Sequence, residues 1–280
     1  MENTLNAFLR GIIEAATEFL PVSSTGHLFL FSYFFPFQNL SVSHEDFEDL
    51  FDIFIQTGAI FSVVVLYYKT FLEHFKSAIQ FGFKKTNDPS GYHFYLNLFI
   101  GILPILLLGF LFKTQLNQIK LKPDLLLILG CSWLIGGILM VFVERKHLDE
   151  SSGKMIGLKE ALIVGLLQCF ALIPGVSRSA ATIISARTLG VSKKDSAEFS
   201  FFLAIPVLSL AGLYKLYKHR AILNSETIGL LFFGSIISFV ICYFIIKLFM
   251  AFIRRRSFIS FGVYRILLGI LVILYFFRTE

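Results

Sequence analysis

The sequence predicts an all-α polytopic membrane protein with about six transmembrane spans. It is expected to consist of two inverted-topology repeats, each with a re-entrant helical hairpin. Three observations carry that expectation. The chain is 56% hydrophobic and only 16% charged, whereas roughly a quarter of the residues in a soluble domain are charged. Several apolar runs approach the ~20 residues that cross a bilayer. Finally, two related segments that mix polar and apolar residues open the two halves of the chain.

Residues 5–19 have helical apolar periodicity, which Pro21 interrupts before a second apolar stretch at 28–37. Neither piece spans a bilayer comfortably, so the pair reads as a re-entrant hairpin. Spans are expected at 51–68, 94–112 and 125–143. The second half repeats the plan: 158–172, a break at Pro174-Gly175, then 180–190, with spans at 197–214, 227–246 and 258–277. Sliding the chain by 154 positions lays GIIEAATEFLPVSST (11–25) over GLLQCFALIPGVSRS (165–179). Gly11 then meets Gly165, Glu14 meets Gln168, Val22 meets Val176 and Ser23 meets Ser177. Residues 1–280 are therefore expected to form one integral membrane domain, with repeat one at about 1–144 and repeat two at about 157–280.

Charge sets the orientation. The loops 69–92, 144–160, 187–195 and 247–256 hold 15 Lys and Arg, against seven in 113–123, 215–226 and the carboxyl end. The richer set is expected to be cytoplasmic. The first hairpin then enters from outside and the second from the cytoplasm, and their turns meet near the midplane. The net charge of +6 is accounted for by these loops facing anionic headgroups, so nucleic acid is not an expected partner. MENTLNAFLR does not read as a removable signal peptide. Cys131, Cys169 and Cys242 lack metal or redox spacing.

Ionisable groups inside membrane segments mark function or pair with one another. Glu14 and Glu18 share one helix face, and Arg10 continues the stripe, where it could neutralise Glu14. Two carboxylates joined by phosphate oxygens suit Mg²⁺ or Ca²⁺. PVSSTGH adds Ser23, Ser24, Thr25 and His27 where a helix begins, and its unpaired N–H groups favour an anion. Any one of these hydroxyls could instead be only a helix cap. PGVSRSAAT (174–182) supplies Ser177, Arg178, Ser179 and Thr182, and the guanidinium can fork onto phosphate. Arg265, alone in the last span, either contacts phosphate or pairs structurally. Such a set calls for a strongly anionic ligand attached to a lipid.

EAATEFLPVSSTGH (14–27) and PGVSRSAAT resemble the two motifs of the bacterial undecaprenyl pyrophosphate phosphatase family, which is also linked to bacitracin resistance. The resemblance covers essentially the whole chain. It implies hydrolysis of undecaprenyl diphosphate to undecaprenyl phosphate and inorganic phosphate, recycling the carrier for cell-wall synthesis. It also implies a divalent cation, residence in the bacterial plasma membrane and a site open to the extracytoplasmic side. Carried over by motif, Glu14 and Glu18 bind metal and diphosphate. Ser24 and His27 belong to the reaction centre, and Ser177, Arg178 and Thr182 hold phosphate. Two routes stay open: His27 activates Ser24 as nucleophile, or it activates water. The partners expected are the polyprenyl diphosphate and membrane lipids, with a homodimer allowed. The rival function is a transporter or flippase of a polyprenyl phosphate, since fold alone does not fix activity.

Overall fold

A computed structural model describes residues 2–120, 124–146 and 153–279, and among these there is no β-strand. In the first half the helices are α1 (Glu2–Thr17), α2 (Ser24–Phe34), α3 (His44–Phe54), α4 (Gln56–Leu66), α5 (Tyr68–Gly82), α6 (Ser90–Leu111), α7 (Lys113–Lys120) and α8 (Leu125–Lys146). The second half contains α9 (Leu158–Gln168), α10 (Arg178–Thr188), α11 (Lys193–Lys218), α12 (Ser225–Ile253) and α13 (Ile259–Thr279). Among the described residues, six helical segments are long and apolar enough to cross a membrane: α3–α4 together, α6, α8, α11, α12 and α13. The protein is a multi-pass membrane protein.

Two expectations change. The first span begins at His44 rather than 51, because Ser43 caps an acidic first turn and the helix continues past Ile55 into α4. Residues 69–92 are not a plain loop. They contain α5, an amphipathic helix with no buried residue that lies against α6.

The short hairpins α1–α2 and α9–α10 are held by small residues. A Cβ on Gly11 would sit 2.9 Å from the Gly234 carbonyl oxygen of α12, and one on Gly165 would sit 2.4 Å from that of Gly101 in α6. Each hairpin thus packs, through glycine, on a span of the other half. The α8–α13 pair is bound the same way. Gly130 faces Gly269 and Gly137 faces Gly262, so these two helices run antiparallel.

Arg10 does not neutralise Glu14. Its fully buried guanidinium donates to Glu48 at 2.7 Å and Asp52 at 2.9 Å and stacks over Phe37, pinning α1 to α3. Breaking such a buried pair costs about 3–5 kcal/mol, so Arg10 belongs to the scaffold.

Candidate active site

The two motif turns have the same backbone. Ser23 and Ser177 both take positive φ, 78° and 72°, in a region that side chains other than glycine seldom enter. Each then caps the helix that follows: Ser23 Oγ accepts from Gly26 N–H at 3.3 Å, and Ser177 Oγ accepts from Ala180 N–H at 3.2 Å. The turns touch directly, since Ser179 Oγ donates to the Leu20 carbonyl at 2.8 Å.

Together they wall a cavity of about 320 Å³, closed elsewhere by α3–α4, α6, α7 and α11. Glu18, Ser23, Ser24, Thr25, Ser177 and Arg178 all face it. A chain of contacts joins them. Ser24 Oγ donates to one Glu18 oxygen, and Arg178 Nη2 donates to the other at 3.1 Å. Arg178 Nη1 is fixed on the Ser200 carbonyl at 2.8 Å, which sets the plane of the guanidinium. Its Nε is buried and has no hydrogen-bond partner among the described residues. Ser24 therefore already donates its proton to a carboxylate, beside the Arg178 guanidinium.

Five predicted residues do not line the cavity: Glu14, His27, Ser179, Thr182 and Arg265. Thr182 is fully buried, its hydroxyl held among the Arg178 and Ser179 carbonyls and Ser200 Oγ, where it ties α10 to α11. Ser179 binds one turn to the other, as described. His27 points away from the cavity. Its Nδ1 lies 2.7 Å from the Ser23 carbonyl, which can only accept, so that nitrogen carries the proton. Its Nε2 lies 2.7 Å from the Tyr264 hydroxyl, and the ring stacks on Tyr264 with an edge toward Trp133. Arg265 is fully buried against carbonyls: Val176 at 2.9 Å, Ser132 at 3.0 Å, Gly175 at 3.2 Å and Pro21 at 3.3 Å. Both of its terminal nitrogens are held on backbone, though its buried Nε has no partner among the described residues, and this is the structural alternative its isolation in a span left open.

Glu14 lies one turn before Glu18 on α1 and is completely buried. Neither of its oxygens has a hydrogen-bond partner among the described residues by geometry, and the like charges of Glu18 and Asp52 act against its own. Leaving a carboxylate buried and unsatisfied is costly, so the donor set fits a cation. No cluster of three or more His, Cys, Asp or Glu suited to a metal occurs among the described residues. Two carboxylates are what the chain offers.

Comparison with known proteins now decides the lineage. The family profile described as Bacitracin resistance protein BacA matches residues 7–271. The chain belongs to the BacA family. It is similar to a protein named Undecaprenyl-diphosphatase from Leptospira biflexa serovar Patoc, with 83% identity covering 99% of this chain and 100% of that one. A protein of the same name from Leptospira borgpetersenii is 53% identical over 98% of each chain. One from Bdellovibrio bacteriovorus is 37% identical over 96% of this chain and 95% of its own.

The site of this BacA-family chain also contains residues that motif reading missed. Gln56, Lys113 and Lys215 face the cavity. Lys215 pairs with Asp49 of α3, and the ammonium of Lys113 rests over Phe110. In the sequence these lysines are ordinary loop charges, and only the packing of α7 and α11 brings them to one mouth. A larger cavity, about 870 Å³, lies by the amino-terminal part of α11. It is lined by Asp88, Asp195 and Glu198, the wrong sign for a phosphate ligand.

Proposed function

We propose that this chain hydrolyses undecaprenyl diphosphate to undecaprenyl phosphate and inorganic phosphate, returning the lipid carrier to cell-wall synthesis. The observation that carries the reading is the Ser24–Glu18–Arg178 chain on the wall of a cavity inside the membrane domain. The names of the similar proteins from Leptospira and Bdellovibrio support it. Glu18 takes the Ser24 proton as Oγ attacks the terminal phosphorus. Undecaprenyl phosphate leaves, needing no proton. Water then attacks the phosphoserine, Glu18 returns its proton to Ser24 Oγ, and the product departs as H₂PO₄⁻. Arg178 and the amino ends of α2 and α10 hold phosphoryl oxygens through the sequence. Positioning and charge neutralisation supply most of the acceleration in phosphoryl transfer.

Glu14 and Glu18 are the residues that would hold Mg²⁺ or Ca²⁺. When bound, the ion would neutralise charge on the diphosphate. The halves are read as inverted copies. The antiparallel α8–α13 pair and the exchanged glycine contacts of the two hairpins support this. The cavity is read as opening to the extracytoplasmic side, because Lys113 and Lys215 belong to the Lys/Arg-poor loops.

Purified protein in detergent should release phosphate from undecaprenyl diphosphate. Ser24→Ala should lower that rate by at least about a thousandfold while still binding a methylene-bridged prenyl diphosphonate. Phosphate release by Ser24→Ala at the wild-type rate would exclude the serine route. In whole cells, cysteine at Arg220 should react with an impermeant thiol reagent and cysteine at Lys84 should not. The opposite pattern overturns the sidedness.

A further inference from the structure

We propose that the peptide N–H groups of Ser23 and Ser177 are paired phosphate donors, and that Trp133 and Arg265 are the positioning residues that aim them. The proposal rests on the reading above that a diphosphate occupies this cavity.

Trp133 Nε1 donates to the Val22 carbonyl at 2.9 Å, and Arg265 Nη1 donates to the Val176 carbonyl at 2.9 Å. Val22 and Val176 are equivalent in the 154-residue repeat, each immediately before its positive-φ serine. The two donors are equivalent as well. A shift of 132 takes Gly130 to Gly262, Gly137 to Gly269 and Trp133 to Arg265. The Gly130–Gly269 and Gly137–Gly262 contacts exchange under the same shift. One device is thus used twice, with an indole in one copy and a guanidinium in the other.

Its consequence follows from the planar trans peptide, in which C=O and the next N–H point in opposite directions. Drawing the Val22 and Val176 carbonyls toward α8 and α13 turns the Ser23 and Ser177 N–H groups the other way. The cavity lies on that other side: Ser23 and Ser177 line it, and no residue of α8 or α13 does. Neither amide donates a hydrogen bond among the described residues. A positive-φ residue leading into a helix leaves its own N–H and the first N–H groups of the helix unpaired, donors suited to an anion. The guanidinium of Arg178, a residue of the same wall that is more than nine-tenths buried, is an independent sign that an anionic ligand belongs there.

Amide NMR tests this without reading turnover. The sequence contains four Val-Ser peptides, at Ser23, Ser43, Ser177 and Ser192. Labelling valine with ¹³C at the carbonyl and serine with ¹⁵N therefore leaves four signals. Val42→Ile and Val191→Ile identify the two controls. Titrating the full-length protein with a methylene-bridged prenyl diphosphonate should move the Ser23 and Ser177 signals and leave Ser43 and Ser192 in place. Trp133→Phe should shrink the Ser23 response and Arg265→Lys the Ser177 response. Each should raise KM by about tenfold with a smaller change in kcat, the loss of one hydrogen bond to a charged group. Unmoved Ser23 and Ser177 signals at saturating analogue would overturn the proposal. So would variants that lower only the melting temperature while KM and both responses stay as in wild type. If wild-type protein responds as expected yet releases no phosphate, the donors stand and the hydrolase reading falls.

Discussion

Position 24 of the first turn carries a serine where the second turn, 154 residues on, carries Arg178. Across the same offset Glu14 stands opposite Gln168, Glu18 opposite Leu172 and His27 opposite Ala181. The backbones nevertheless coincide in kind: each turn has a positive-φ serine, a serine cap and a carbonyl held by a buried side chain from α8 or α13. The comparison teaches a division of labour. Fixed backbone donors serve both ends of an anionic ligand, so both turns keep them. An acid, a nucleophile and a counter-cation are each needed once, so the side chains diverge.

Making the first turn resemble the second is the strongest way to break that division. Glu14→Gln installs the residue that its counterpart already carries. Gln168 is fully buried, with its amide on the Gly101 carbonyl at 3.4 Å, so a glutamine suits this kind of packing. We predict a folded protein whose apparent affinity for Mg²⁺ or Ca²⁺ falls by at least about a hundredfold, since one of two carboxylate ligands is lost. Calorimetric titration of the ion, alongside phosphate release, checks it. Unchanged ion affinity would remove Glu14 from the metal site.

The next effect lies in the second turn. Arg178→Lys keeps the charge but not the planar fork that reaches Glu18, the Ser200 carbonyl and the cavity at once. A charge-assisted bond contributes about 1.5–3 kcal/mol, so kcat/KM should fall roughly ten- to a hundredfold. A lysine variant with wild-type kcat/KM would reduce Arg178 to a point charge.

Much of this was legible in the residues. Composition and run length gave the membrane class and the spans, and Pro21 and Pro174 located both turns. Glu18, Ser24 and Arg178 stood out because polar groups in apolar surroundings require a reason. What escaped was tertiary. Trp133 looks like one more apolar residue in a span until its indole N–H is seen on Val22. Lys113 and Lys215 look like loop charge until α7 and α11 bring them to the cavity. Arg10 and Arg265 were conspicuous, but sequence cannot tell a cation held by buried carboxylates or carbonyls from one waiting for a ligand. The helix over 68–82 was missed because its charged residues read as loop; its apolar stripe (Phe71, Leu72, Phe75, Ile79) is nowhere fully buried.

His27 sharpens the comparison most finely, since the second turn manages with Ala181. Sequence pattern gives His27 proton transfer, whereas the structure aims both ring nitrogens at the Ser23 carbonyl and Tyr264 Oη and turns neither toward the cavity. In that arrangement the imidazole acts through Ser23, steadying the carbonyl side of a strained turn. A positioning role and a proton-transfer role differ in their pH dependence. If His27 positions, His27→Ala should lower kcat/KM by about tenfold, one lost hydrogen bond plus loosening of the turn. That factor should stay the same from pH 6 to pH 9, because no titrating step has been removed. Tyr264→Phe, which deletes only the hydroxyl on Nε2, should reproduce a smaller, equally flat loss. If His27 transfers the proton, the loss in His27→Ala should change with pH as one limb of the rate profile disappears. Tyr264→Phe should then shift that limb rather than lower the whole curve. A flat ratio would assign both residues to the support of Ser23, whereas a lost limb would return His27 to the reaction centre.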